Sequence, residues 1–238
     1  MNELNSQSWV ASQKLKVAID GPAGAGKSTV AQQLAHKLGY LYIDTGAMYR
    51  AATLLVVRAK VPLDHQMAIA ELVSHSTIEL APADANSQSK VQVFLNKEDV
   101  SLAIRQEAVT AATSAVSAVV PVRELLVNKQ RQLAKDGGVV LDGRDIGTVV
   151  LPDADLKIFL TATPEVRAKR RYDELCALGE KVEYETILSN IVARDHKDSN
   201  RAVAPLRQAQ DAVMILTDHM SVPQVVDTII KLADKRQA

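Results

Sequence analysis

The sequence predicts an α/β fold: a phosphate-loop (P-loop) core with a central parallel sheet flanked by helices. Three observations carry that expectation. Gly21-Pro22-Ala23-Gly24-Ala25-Gly26-Lys27-Ser28 fits the pattern of a loop that wraps nucleotide phosphates, and it lies between a strand-like run and a helix-like run. Short apolar runs alternate with longer stretches of helical periodicity along most of the chain. Val139 to Leu141 and Ile158 to Leu160 are apolar throughout and partly β-branched, as suits strands covered on both faces.

Taken in order, Leu15 to Asp20 is the first strand, the glycine loop follows, and Thr29 to Leu38 is the first helix. Glycine lets the loop bend closely around anionic oxygens, and the helix start adds unpaired N–H groups and a favourable dipole. Leu41 to Asp44 is a short second strand, leading into a helix over 46–60. The stretch 62–102 breaks the alternation: Ser74 to Leu80 can form an edge strand, Pro82 to Ser89 is turn-rich, and Lys90 to Leu95 alternates with period two until Asn96-Lys97. It reads as a small, partly β insertion with one exposed sheet face. Helical patterns occupy 104–118 and 122–135, with Pro121 placed to start the second. Val139 to Asp142 is entered through Gly137-Gly138, and Leu156 to Leu160 follows the Pro152-Asp153 turn. Helices over 164–178 and 183–195, a strand at Val213 to Leu216 and a helix over 222–234 complete the pattern, giving parallel strands joined by crossover helices.

The 238 residues suit one large domain, and a hydrophobic share of 47% is enough for a sizeable core. Formal net charge is +0, so no global field steers the chain to nucleic acid or an anionic membrane. Aromatic residues make up only 3%, which argues against a stacking platform for single-stranded nucleic acid. Cys176 is the one cysteine, so no internal disulfide is possible. His36, His65, His75, His196 and His219 are scattered without metal-ligand spacing. Residues 1–14 read as a flexible tail that lacks the order of a signal peptide, and a cytoplasmic monomer is expected.

Several segments carry candidate chemistry beside a structural alternative. Lys27 can reach the terminal phosphates of a triphosphate, and Ser28 can ligate Mg²⁺. Asp142, at the tip of a buried strand, can hold Mg²⁺ through water or simply cap the turn before Gly143. In Gly143-Arg144-Asp145-Ile146-Gly147-Thr148, Arg144 can grip a phosphate and Asp145 can accept from an exocyclic amine; the alternative is a self-contained ion pair on a loop. Asp44 or Thr45 can cap the helix that follows, and Arg50 can face back toward the crevice or into solvent. Arg194, Asp198 and Arg201, spaced four and three apart, share a face if the helix persists. Arg167, Arg170 and Arg171, with Lys169, form either mobile cations that close on a transferring phosphoryl group or a solvated basic face. Ser114 and Arg123 carry little on their own.

On these segments the chain resembles the bacterial cytidylate kinases. The matching pieces are Ile19-Asp20-Gly21-Pro22 with the phosphate loop, Asp44 to Arg50, Asp142 to Val150, and Arg194-Asp195 through Asp198 to Arg201–Leu206, in family order and within a similarity that spans nearly everything after residue 15. The resemblance implies transfer of the γ-phosphoryl group of ATP to CMP or dCMP with Mg²⁺. It implies a nucleoside monophosphate kinase fold with an acceptor-binding region at 45–135, enlarged by the 62–102 insertion, and a mobile helical lid at 168–184. It assigns Gly21, Pro22, Ala23, Gly24, Ala25, Gly26, Lys27, Ser28 and Thr29 to ATP. Thr45 matches a hydroxyl near the acceptor, commonly serine in the family. Arg50, Arg144 and Arg201 match arginines around the acceptor phosphate. Ser114, Arg123 and Asp145 match residues that recognise cytosine, and Asp198, supported by Arg194, matches a ribose contact. Lys27, Arg144, Arg170 and Arg201 are the expected catalytic cations, Arg170 being a lid arginine. Ser28 replaces a glycine common in the family and restores a Mg²⁺-ligating hydroxyl. The acceptor phosphate is itself the nucleophile, so direct in-line transfer without a phosphoenzyme is expected. A GTP-dependent switch would require a guanine-reading Asn-Lys-x-Asp segment after a core strand, and Asn96-Lys97-Glu98-Asp99 follows the insertion strand instead. The segment Asp142 to Val150 argues against a shikimate or adenylate kinase.

Overall fold

The computed structural model describes residues 14–82 and 91–237. The expected tail, apart from residue 14, and the expected turn at 83–89 lie outside the described residues. In chain order the elements are β1 (Lys16–Asp20), α1 (Lys27–Leu38), β2 (Leu41–Asp44), α2 (Thr45–Arg58), α3 (Gln66–Ser74), β3 (Ile78–Pro82), β4 (Val91–Leu95) and β5 (Glu98–Asp99). A 3-10 turn (Ala103–Arg105), α4 (Glu107–Val116), α5 (Val120–Leu133) and β6 (Val139–Gly143) follow. Then come a π-helical turn (Ile146–Val150), β7 (Leu156–Thr161), α6 (Pro164–Ala177), α7 (Tyr184–Asn200), β8 (Val213–Leu216) and α8 (Val222–Gln237).

Five strands form a parallel sheet in the order β2-β6-β1-β7-β8. β1 is central, and the chain leaves it first toward β2 on one edge and later toward β7 and β8 on the other. Such a reversal opens a crevice beyond the carboxyl ends of the strands. In register there, Asp44 lies opposite Asp142, and Asp20 lies opposite Gly143. The α/β class and the central parallel sheet expected from the sequence are thus present, with every predicted core strand placed within about a residue of its observed bounds.

Alternation along the strands divides the core between the two faces of the sheet. Ala18, Val139 and Leu141 join the side that holds α2 and α5, whereas Val17, Ile19, Val140 and Ile158 join the side that holds α1 and α8. The small antiparallel sheet β3-β4-β5 belongs to the first side: Val91, Val93 and Leu95 point inward and share a core with Ala51, Leu54 and Ile69. The 62–102 stretch therefore completes the packing of α2 and is no separate module. A third, small cluster of Ala168, Leu175, Ile187 and Ile191 joins α6 to α7 alone.

Three local features differ from the sequence expectation. The 62–102 stretch contains a helix, α3, whose signal is short because only Ile69 and Val73 are buried along its nine residues. The helix expected over 104–118 is split by Gln106, whose φ/ψ of −57°/148° is extended and ends the 3-10 turn. Residues 146–150, read as part of a loop, wind into a π turn in which Leu151 N–H donates to Ile146 C=O at 2.7 Å.

Gly21 explains the tight exit from β1. Its φ is +148°, and an added Cβ would lie 1.9 Å from the backbone oxygen of Leu160. Backbone cannot retract as a flexible side chain would, so strain and overpacking add. Gly21→Ala is expected to destabilise the fold by roughly 2–4 kcal/mol, which lowers Tm by about 5–15 °C for a chain of this size. Differential scanning calorimetry of the two proteins checks this, and a shift under about 2 °C contradicts it.

Candidate active site

The crevice at the sheet's carboxyl edge is a continuous cleft of about 1140 Å³. Of the residues singled out from the sequence, Ala23 through Thr29, Thr45, Arg50, Ser114, Arg123, Asp142, Arg144, Asp145, Arg170, Arg194, Asp198 and Arg201 all line it. Gly21 and Pro22 do not line it; they sit behind it, Gly21 against β7 and Pro22 beneath the lysine. Segments separated by more than a hundred residues converge because the parallel register brings their strand tips together.

At one end the phosphate loop enters α1 through Gly26, a left-handed residue at φ +86° with open space around its missing Cβ. Lys27 is buried and donates to the Pro22 carbonyl at 2.7 Å. Burial, followed by the Arg144 guanidinium, pushes its ammonium well below the usual lysine range. An anion in the cleft reverses that effect, since it favours the charged form. Ser28 Oγ donates to Asp142 at 2.8 Å, and Tyr42 donates to the other carboxylate oxygen at 2.9 Å. Burial raises Asp142 to about 6, with Asp44 adding to the rise. Thr45 donates to the Asp142 carbonyl at 2.7 Å. The helix cap is Asp44, which accepts from Ala47 N–H at 2.8 Å, so Thr45 does not serve as the cap.

At the other end lies a cluster of cations. Arg50 donates to Asp44 at 3.3 Å, while its Nε is buried without a hydrogen-bond partner. Arg144 pairs with Asp198 at 2.9 Å. Arg194 faces the open cleft; desolvation, then Arg144, lower its affinity for a proton. Arg201, just past the end of α7, donates to the Ala204 carbonyl and is also lowered, chiefly by burial. Arg123 and Asp145 form a buried ion pair, with the guanidinium 5.6 Å from the Tyr49 ring centroid. Ser114 lies on α4, in the wall of the same cleft. Three of these guanidiniums have a carboxylate partner, whereas among the described residues no salt bridge is formed by Arg194 or Arg201, and cations crowded in this way mark a place for a multiply charged anion.

The three arginines of α6 separate into distinct roles. Arg167 is buried, pairs with Asp195 through both ends at 3.0 and 2.6 Å, and donates to Ala23 and Ala162 carbonyls. It ties α6 to α7 and to the phosphate loop, so it is not one of the mobile cations. Arg171 pairs with Glu174 on the helix surface. Arg170 bonds Thr217, just past β8, through its hydroxyl at 3.1 Å and its carbonyl at 2.7 Å.

The sequence assigns no role to three residues with a part in this geometry, although Asp20 and Tyr49 lie in the matched segments. Tyr42 holds Asp142, Tyr49 backs Arg123, and Asp20 accepts from Ile146 and Gly147 N–H groups at 2.8 and 2.7 Å. A polar atom inside an otherwise apolar strand was the available clue for Tyr42 and Asp20.

A phosphate loop on a parallel sheet, facing an arginine-lined wall, defines a P-loop phosphotransferase. The cytidylate kinase family pattern matches residues 17–235. A cytidylate kinase from Geobacillus sp. (strain WCH70) is 51% identical over 222 residues, covering 93% of this chain and 97% of the relative. One from Streptococcus agalactiae serotype V is 49% identical over 221 residues, with 93% and 96% covered. One from Halalkalibacterium halodurans is 48% identical over 224 residues, with 94% and 99% covered. The chain belongs to the cytidylate kinase family. It is a phosphotransferase that phosphorylates CMP and dCMP with ATP and Mg²⁺. Among the described residues no single helix is long and apolar enough to cross a membrane.

Asp20 and Asp142 are both raised to about 6 by burial. Between about pH 4 and 6 the folded chain therefore holds protons that the unfolded chain has released, and these two groups make stability fall as pH rises through that window. Urea unfolding of the metal-free chain beside Asp142→Asn checks the sign. The unsubstituted protein is expected to lose on the order of 1–3 kcal/mol more than the variant between pH 4.5 and 6.5. Parallel pH profiles contradict it.

Proposed function

We propose that ATP and CMP or dCMP meet end to end in this cleft, ATP along Gly21 to Thr29 and the acceptor among the arginines. The observation that carries the reading is that one continuous cleft joins the Lys27 loop to the Arg123–Asp145 pair, with Arg50, Arg144, Arg194 and Arg201 along it. In this reading residues 15–238 form one kinase domain, 45–135 is the acceptor-binding region with its 62–102 insertion, and 168–184 is the lid. The separate small core between α6 and α7 supports movement of that pair as a unit.

An oxygen of the acceptor phosphate attacks the γ-phosphorus of ATP. A new P–O bond forms as the bond from the γ-phosphorus to its bridging oxygen breaks, and the electron pair leaves on ADP. The nucleophile is already largely ionised near neutral pH, since a phosphate monoester has a second pKa of about 6. No general base is required; alignment and charge neutralisation do the work. Lys27 leaves the Pro22 carbonyl for the donor phosphates. Arg50, Arg144 and Arg201 hold the acceptor phosphate, and the unpartnered Nε of Arg50 gains an acceptor. Arg170 leaves Thr217 to neutralise charge on the transferring group, and lid closure excludes water. Asp198, with Arg194, meets the ribose.

The oxygen donors present suit Mg²⁺. Ser28 Oγ and Asp142 lie 2.8 Å apart at the mouth of the phosphate loop, and no cluster of three or more carboxylate, histidine or cysteine ligands occurs among the described residues. Mg²⁺ keeps most of its waters and takes one or two protein oxygens plus phosphates, so this sparse set fits it. Ser28 would hold the ion directly and Asp142 through water, and the bound ion neutralises charge on the donor phosphates.

Cytosine presents an amine beside N3 and O2 acceptors. Asp145, braced by Arg123, can accept from the amine, and Ser114 completes the pattern. Uracil would set a carbonyl against the carboxylate and leave polar groups unpaired.

Initial rates with ATP or GTP and with CMP, UMP, AMP or shikimate test the assignment. ATP with CMP is expected to lead, and CMP to exceed UMP by roughly 100-fold or more in kcat/KM. Equal rates with CMP and UMP at subsaturating acceptor defeat the cytosine reading. Lys27→Met is expected to lower kcat by about 10²–10³ with the circular dichroism spectrum unchanged. Normal turnover in that folded variant refutes the role given to the lysine.

A further inference from the structure

We propose that Asp20 is a positioning residue for acceptor recognition: from the donor-side strand it caps the turn that carries Asp145, leaving the Asp145 carboxylate free to face the acceptor. The inference rests on the reading of Asp145 as the residue that meets the acceptor base. The π turn at Ile146–Val150 begins directly after Asp145, where a carboxylate would ordinarily cap the exposed N–H groups. Asp145 makes no such bond; its side chain pairs with Arg123 in the wall of the cleft. Asp20 takes over. One carboxylate oxygen accepts from Ile146 N–H at 2.8 Å and the other from Gly147 N–H at 2.7 Å.

The sequence separation is 126 and 127 residues, and the register of β1 against β6, with Asp20 opposite Gly143, makes the reach short. Position 147 is tight: a Cβ there would lie 3.1 Å from Lys157 Cδ and 3.4 Å from the Asp20 carboxylate. The far end of the turn is held as well, by Arg131 donating to the carbonyls of Val149 and Val150 at 2.8 and 2.9 Å. Asp20 is only 4% exposed, and Asp145 and Lys27 both act on its charge. Burial without these two N–H donors would be costly for a carboxylate, so the turn and the carboxylate hold one another in place. Because Asp20 directly precedes the phosphate loop, one side chain links the geometry of the donor loop to that of the acceptor reader.

The test uses the full chain with Asp20→Asn and Asp145→Asn. An amide at position 20 keeps one acceptor oxygen and turns a donor toward an N–H, which displaces the turn. Asp20→Asn is expected to raise KM for CMP by about tenfold, change KM for ATP by less than about threefold, and lower the CMP-to-UMP preference. A loss confined to stability would not split the two KM values. If Asp145→Asn impairs CMP selection and a folded Asp20→Asn leaves KM for CMP unchanged, the role of Asp20 is overturned. If Asp145→Asn also leaves CMP selection intact, the reading of the acceptor site fails, and the proposal with it. Amide hydrogen exchange on the unsubstituted chain gives a check independent of variant folding. Ile146 and Gly147 amides are expected to be protected without CMP as the β6 amides are, and exchange at loop rates until CMP binds overturns a turn set in advance.

Discussion

Buried carboxylates at the tips of three neighbouring parallel strands organise this molecule. Asp44 ends β2, Asp142 stands one residue short of the end of β6, and Asp20 ends β1. All three are buried. A buried carboxylate must find hydrogen-bond donors, and each of these finds a different set. Asp44 takes the start of α2 and Arg50, Asp142 takes Ser28 and Tyr42, and Asp20 takes the π turn. The strand register aligns the tips, and the tips in turn anchor the phosphate loop, α2 and the π turn. The hydrophobic sheet below supplies rigidity; the polar edge converts it into placement.

The same edge is electrostatically unfinished without substrate. The carboxylate that Arg50 uses is already shared with the cap of α2, Arg144 has the single carboxylate of Asp198, and Arg194 and Arg201 are pushed toward weaker basicity. A cleft left in that state has a strong preference for multiply charged anions, although the chain as a whole has a formal net charge of +0. The uncharged average conceals a sharply divided surface, which is why global charge says little about a site this local.

Stability and mobility are divided in a similar way. Most apolar burial lies on the two faces of the five-stranded sheet, where α1, α2, α5 and α8 pack. The α6–α7 pair has only its own small cluster and is tied to the phosphate loop through Arg167 and Asp195. A unit with few apolar contacts to its neighbours can move at modest cost. The buried Arg167 bonds tie its base to the phosphate loop, while Arg170 on the same helix holds Thr217.

Much of this was legible in the chain itself. The phosphate loop, the buried strands and the crossover helices announce themselves because glycine conformations and apolar periodicity are local properties. The matched segments, from Asp44 to Arg50 and from Asp142 to Val150, also named the family. What stayed hidden depends on contacts between distant residues. Arg167, Arg170 and Arg171 look alike along one helix, yet packing makes the first a buried tie, the second a bond to the end of β8 and the third a surface pair. Helix α3 buries too few residues to set a clear period. Asp20 looks like the end of a strand until β6 is laid beside it, and the cap it provides crosses more than a hundred residues. Sequence alone determined the strands and helices of the sheet core and the class of chemistry, because both rest on short-range pattern. Tertiary structure decided which charged groups are partners and which face the cleft, because that follows from register and burial across the whole sheet.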